Sequence, residues 1–198
     1  MKWNAHWNLE GKHAFLGASK YSWINYKNDD GSYNFSKLIN SYQNYQSIER
    51  GTRLHALAAS MISENIKAQS VKQTFNMYVN DAIKFHLSPE VVLYVSENAF
   101  GTTDGINFDE EKNFLRIHDL KTGVTPAHME QLMIYAAYFC LEYHKDPFEL
   151  GIELRIYQNN EIIVCNEETD PDLKVWIKEI MDCTIAADNE LRRFKEEA

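Results

Sequence analysis

Apolar positions change their spacing twice along this chain. Between residues 35 and 66 they recur every three or four residues (Ile48, Leu54, Leu57, Ala58, Met61, Ile62), which places one stripe on a helix. Gly51 interrupts the stripe with a residue of low helix propensity and predicts a break, with a second helix over about 52–67. A weaker repeat over 71–85 predicts another helix or a lid-like excursion. Ser88-Pro89-Glu90 then leads into strand territory. Residues 91–95, 102–108 and 113–121 carry the β signal, and the acidic turn Asp109-Glu110-Glu111-Lys112 joins the last two as a hairpin. Beyond Gly123 and Pro126 the period returns to helical over 128–143. Residues 149–157 and 161–166 read as a second hairpin around Gln158-Asn159-Asn160, and Asp170-Pro171-Asp172 opens a C-terminal helix. Upstream, residues 18–24 predict a short helix opened by a serine cap, followed by the turn cluster 28–32. The order predicts an α/β protein with a central mixed sheet flanked by helices. It reads as one domain over 1–198: a helical part to about 90, a β-meander and helix over about 91–145, and a hairpin and helix over about 146–198.

Composition narrows the class. At 198 residues, with 44% hydrophobic and 25% charged, the chain can build a sizeable core. No apolar run reaches the roughly 18 residues of a membrane span, and Met1–Leu9 lacks the apolar region of a secretory signal. Cys140, Cys165 and Cys183 are odd in number and far apart, which argues against a disulfide framework and against a four-cysteine metal or iron–sulfur site. A cytoplasmic, reduced setting is expected. The net charge of −9 argues against tight binding to nucleic acid. Carboxylates gathered around a cation would also make a chain acidic, and the cation reverses the local field.

The chemistry concentrates in Gly101-Thr102-Thr103-Asp104-Gly105-Ile106 and Ile117-His118-Asp119-Leu120-Lys121-Thr122-Gly123. Alternation on a strand puts Asp119 and Lys121 on one face, shared with Leu115 and Ile117, so that face looks toward the core. His118 points the other way and reads as structural. The hairpin brings Asp104 opposite the end of that strand, close enough for two carboxylates to share a cation. An inward carboxylate and ammonium are costly unless paired or functional. Two carboxylates, a lysine and a divalent cation suit phosphodiester hydrolysis, in which water must be activated and phosphate charge neutralised. Each residue also has a plainer reading: Asp104 as a turn former, Asp119 and Lys121 as an exposed pair, His55 as a core histidine among Leu54, Leu57 and Ala58. Glu97 is a further candidate for holding water or metal.

The pattern Gly-x-x-Asp at 101–104, followed by Asp-x-Lys at 119–121, resembles the PD-(D/E)xK nuclease superfamily. Gly51-Thr52-Arg53-Leu54-His55 and Gln131-Leu132-Met133-Ile134-Tyr135 resemble motifs of its RecB/Cas4-like branch, which includes phage exonucleases, and all four stand in that branch's order. The resemblance implies a restriction-endonuclease-like core and Mg²⁺ or Mn²⁺ held by His55, Asp104, Asp119 and the Leu120 carbonyl. It implies catalysis by Asp104, Asp119 and Lys121, with Gln131 and Tyr135 contacting DNA or positioning the lysine. The implied activity is a deoxyribonuclease, exonucleolytic by analogy, in phage recombination or DNA processing within the host cytoplasm. DNA is the implied partner; a recombination partner protein and a homo-oligomer are compatible with it. Tyr26 stands where cluster-bearing members place a cysteine, so no iron–sulfur cluster is expected. Ala59 stands where some relatives carry a glutamate. An endonuclease of restriction or repair type, and a non-cleaving DNA-binding module on the same fold, remain as alternatives.

Overall fold

The β-branched and alternating segments assemble into one open, five-stranded sheet. In the computed structural model, which describes residues 15, 16, 18–123 and 126–197, its order follows the chain: β1 (Ser88–Ser96), β2 (Ala99–Asp109), β3 (Phe114–Leu120), β4 (Gly151–Gln158) and β5 (Glu161–Asn166). β1, β2 and β3 form an antiparallel meander, β3 and β4 run parallel, and β5 returns antiparallel to β4. The parallel step needs a crossover, and the helix Glu130–Glu142 supplies it. The protein is therefore α/β with a mixed sheet, as the pattern of apolar positions predicts.

Among the described residues four α-helices accompany the strands: α1 (Phe35–Ser63), α2 (Thr74–Lys84), α3 (Glu130–Glu142) and α4 (Leu173–Glu197). The expected break at Gly51 does not occur; α1 runs through it. One glycine costs a helix about 1 kcal/mol relative to alanine, too little to stop a ladder of hydrogen bonds continuing on both sides. The chain divides into two compact units, one up to Thr52 and the other Arg53–Ala198, and α1 contributes to both. In the first unit the short helix over 18–24 is a 3₁₀ helix, Ala18–Asn25. The Asp30 carboxylate closes the predicted turn by accepting from Ser32 N at 2.9 Å and Ser32 Oγ at 2.6 Å. The expected serine cap and the segment Met1–Leu9 lie outside the described side chains and residues.

In the second unit helices cover both faces of the sheet. α3 buries Leu132, Ala136, Ala137, Phe139 and Cys140, and α4 buries Leu173, Ile177 and Met181, each set at helical spacing. They pack with Leu93, Ile106, Leu115, Ile117, Leu154 and Ile156 in the larger core. On the opposite face Ala58 and Ile62 of α1 and Tyr78, Val79 and Ala82 of α2 pack with Leu120 and Tyr157. Among the described residues no helix is long and apolar enough to cross a membrane.

The β1–β2 pair departs from strict alternation at one level. Gly101 abuts Tyr135 of α3, so strict alternation would turn Gly105 toward α3 as well; instead Gly105 meets Tyr78 and Leu87 on the other side, and Ile106 enters the α3 core. β1 shifts in the same place: Ser88, Val91 and Leu93 all line one cavity with Phe139. Between them sits Glu90, whose φ of 53° is a left-handed conformation seldom adopted by a glutamate. Both strands thus change faces where Glu90 and Asp104 come abreast, and such local breaks re-aim side chains.

Candidate metal centre

Asp104 stands at the join of three elements. Its Oδ1 lies 3.1 Å from Nδ1 of His55 on α1. Its Oδ2 accepts from the Leu120 amide of β3 at 2.8 Å, and its carbonyl accepts from Tyr78 Oη of α2 at 2.7 Å. Gly105↔His118 pairing puts Asp104 abreast of Asp119, as the hairpin register predicts. Glycines flank it for steric reasons: a Cβ at Gly101 would fall 2.9 Å from Tyr135 Cε1, and one at Gly105 would fall 3.0 Å from Tyr78 Oη.

His55, Glu90 and Asp104 each offer a ligand atom, and those atoms lie within 4.8 Å of one another. Ligands held about 2.1–2.4 Å from one ion are separated by no more than about 4–5 Å, so the group matches a single cation. Glu90 was not among the residues singled out from the sequence. Its carboxylate arrives through the left-handed turn of β1, and Ser-Pro-Glu before a strand carries no signal of it. Glu97, a candidate from sequence, sits exposed in the turn between β1 and β2, about 17 Å along β2 from Asp104, and does not join the group.

Asp119 and Lys121 form the other half. Asp119 is buried on the α3 side, its side chain 4% exposed. Lys121 Nζ donates to Asp119 Oδ1 at 3.1 Å and stands 2.9 Å from Oδ2, at an angle that leaves Oδ2 buried without a hydrogen bond among the described residues. The same ammonium donates to Gln131 Oε1 at 2.7 Å, and Gln131 Nε2 reaches Tyr135 Oη at 3.4 Å. The predicted Gln131–Tyr135 face therefore does meet the lysine. Leu120, expected to offer its carbonyl, donates its amide to Asp104.

Crowding shows in the acidities. The hydrogen bond to Asp104 raises the His55 pKa against the opposing effect of burial, and the charges of Asp104, Asp119 and Glu90 add to it. Burial raises Asp119, with Asp104 adding and Lys121 opposing. Burial and the Asp104 charge also raise Glu90. Among the described residues three carboxylates gather here, of which Asp119 pairs with Lys121 and Asp104 with His55. Asp119 is buried, where a charge is costly unless paired, and its Oδ2 has the Lys121 ammonium at 2.9 Å as its ion-pair partner, while Glu90 is exposed to solvent. The gathered carboxylates fit a divalent cation.

Comparisons with protein-family models, curated proteins and solved structures return no match for this chain. The functional reading rests on the residues and their geometry.

Proposed function

We propose that the protein is a divalent-cation-dependent deoxyribonuclease built on a restriction-endonuclease-like core, with Mg²⁺ or Mn²⁺ held by His55, Glu90, Asp104 and Asp119. The observation that carries this reading is the convergence of ligand atoms of His55, Glu90 and Asp104 within 4.8 Å of one another, beside the buried Asp119 and its Lys121 partner. Oxygen donors suit Mg²⁺ and Mn²⁺. A cation bound there supplies Lewis acidity toward a phosphodiester and a water of lowered pKa. Lys121 is held by Asp119 on one side and Gln131 on the other, so its ammonium is fixed where it can orient the attacking water and meet developing charge on the phosphate. Tyr135 braces Gln131 and thereby the lysine. Glu90 and Asp104 hold position through the paired break in β1 and β2. The mixed sheet with helices on both faces is compatible with this core, and exonucleolytic action in DNA processing in the cytoplasm remains the preferred setting.

Two measurements test the proposal together. Mn²⁺ should raise the melting temperature, because a ligand at about 100 times its Kd stabilises the native state by about 2.7 kcal/mol. In Mg²⁺ or Mn²⁺, end-labelled linear DNA should be degraded, with covalently closed plasmid surviving and EDTA abolishing the reaction. Nicking of closed circles as fast as linear digestion would replace the exonuclease by an endonuclease. No cleavage of either form, with an unchanged melting temperature in Mn²⁺, would overturn the nuclease reading.

A further inference from the structure

β1 and β2 hold two large aromatic side chains in solvent. Tyr94 and Phe100 are direct partners across the strand pair, 50% and 60% exposed, with ring centroids 6.5 Å apart and planes inclined by 30°. Val92, also exposed, pairs with Thr102 one step nearer the carboxylates. Their neighbours point the other way, Leu93 into the α3 core and Gly101 against Tyr135. The strip therefore lies on the side of the sheet from which His55 reaches Asp104. α2 packs over β3 and β4 on that side and leaves the strip open. From Tyr94/Phe100 the strip passes through Val92/Thr102 to Glu90 and Asp104. Phe100 is four residues from Asp104, about 13 Å along the strand.

The surroundings decide what such a strip can hold. Glu90 and Asp104 lie at one end, Glu97 in the turn at the other, where Lys195 Nζ donates to Asn98 Oδ1 at 2.9 Å, and Glu142 accepts the Tyr94 amide at 2.8 Å. Acidic neighbours repel phosphates, so affinity must come from uncharged surface. A nucleobase offers that surface, and stacking on an aromatic side chain contributes about 1–3 kcal/mol per base. In a duplex those faces are already stacked, so only unpaired bases can use the strip. The Glu142 contact also occupies an outward amide of the edge strand, which blunts pairing with a second copy.

We infer that Tyr94 and Phe100 form a stacking platform for unpaired nucleobases, seating a single-stranded stretch whose neighbouring phosphates reach the metal centre. This rests on the nuclease reading above. The test compares wild type with the double variant Tyr94→Ala/Phe100→Ala and the conservative pair Tyr94→Phe/Phe100→Tyr. Fluorescence anisotropy follows binding of a labelled oligothymidylate and of an abasic strand of equal length, in Ca²⁺. Wild-type cleavage of DNA in Mn²⁺ and sedimentation of each protein run alongside, and thermal unfolding checks the fold. The double variant should bind oligothymidylate about tenfold or more weakly, the loss expected when one or two stacked bases are released. The conservative pair should keep its affinity, and wild type should prefer oligothymidylate to the abasic strand by a similar factor. If wild type cleaves DNA and the double variant binds as well as it does, the platform is overturned and the nuclease reading stands. If wild type neither binds nor cleaves, the nuclease reading falls and the platform with it. If the double variant loses self-association while its binding is unchanged, the strip belongs to a second copy and not to DNA.

Discussion

β3 carries a polar network on each of its two faces, one residue apart, and they are built on opposite principles. On the α2 face His118 is fully buried beside Tyr157. Tyr157 Oη donates its single proton to Asp81 at 2.7 Å, so His118 Nδ1, 3.2 Å away, is the donor to the phenolic oxygen. Arg155 binds Asp81 at 3.2 Å and Glu153 at 3.0 Å, Arg116 binds Glu153 at 3.2 Å, and the Phe85 ring lies against both guanidiniums. Two arginines balance two carboxylates in charge, while His118 Nε2 and Arg155 Nε are buried without a hydrogen bond among the described residues. On the α3 face Asp119 pairs with Lys121, and around Asp104 the Glu90 carboxylate and the His55 imidazole converge. The first arrangement spends its polar groups on holding α2 to the sheet. The second gathers carboxylates against one another, and a cation bound there would offset their repulsion.

That contrast predicts that chemistry and stability can be removed separately. The largest effect should come from Asp119→Asn, which keeps the side chain's shape and removes one negative charge. Loss of a cation ligand worth several kcal/mol of transition-state stabilisation should lower cleavage by on the order of 10³-fold or more. The melting temperature in EDTA should change little, because relief of burial cost and of repulsion from Asp104 offsets the weakened contact with Lys121. Cleavage at near wild-type rate would remove Asp119 from the site. Arg155→Met should do the reverse. It strips Asp81 and Glu153 of a shared cation, and breaking a partly buried pair should cost about 2–4 kcal/mol of unfolding free energy by urea denaturation. The Mn²⁺-induced rise in melting temperature should persist. An Arg155→Met protein that is as stable as wild type, or that has lost its response to Mn²⁺, would erase the distinction between the two networks.

The two networks also differ in how far they could be read from sequence. Asp119 and Lys121 follow from alternation on one strand, and Asp104 from the length of one hairpin, so half the candidate site was legible locally. Gln131 and Tyr135 share a helix face one turn apart, and that also is local. Glu90 was not legible, because its part depends on a left-handed backbone at a non-glycine residue that no spacing rule announces. The network around His118 draws on residues 81, 116, 153, 155 and 157, brought together by the packing of α2 on β3 and β4. Its inward direction could be read; its partners could not. The strands were legible to within a few residues because turns with strong chemistry bound them. Gly51 misled for the opposite reason, since a local propensity of about 1 kcal/mol was overruled by the helix around it.

The smallest effect, and the finest test of the comparison, is the pH dependence of the two histidines in EDTA. Burial, aided by the charges of Arg155 and Arg116, pushes the His118 pKa down to about 3. Below the ordinary value of about 6.5 the unfolded chain binds this proton and the folded one does not. The stability it contributes is therefore present above about pH 6.5 and is lost as pH falls, by about 1.4 kcal/mol per pH unit toward the folded value. His55 has the opposite sign. Its pKa is raised by Asp104, so its contribution is present below about 6.5 and is lost as pH rises through the folded value. Glu90 and Asp119, both raised, likewise favour the protonated folded form. Because His55 is 28% exposed, solvent screens its pair and its effect should be the weaker one. Urea unfolding from pH 5 to pH 8 separates them. His118→Asn should be less stable near neutrality yet should show a flatter fall between pH 6.5 and pH 5. His55→Ala should steepen that fall and lessen any loss above pH 6.5. If His118→Asn falls as steeply with acid as wild type, then His118 is not held neutral in its network, and the contrast between the two faces of β3 fails at its most specific point.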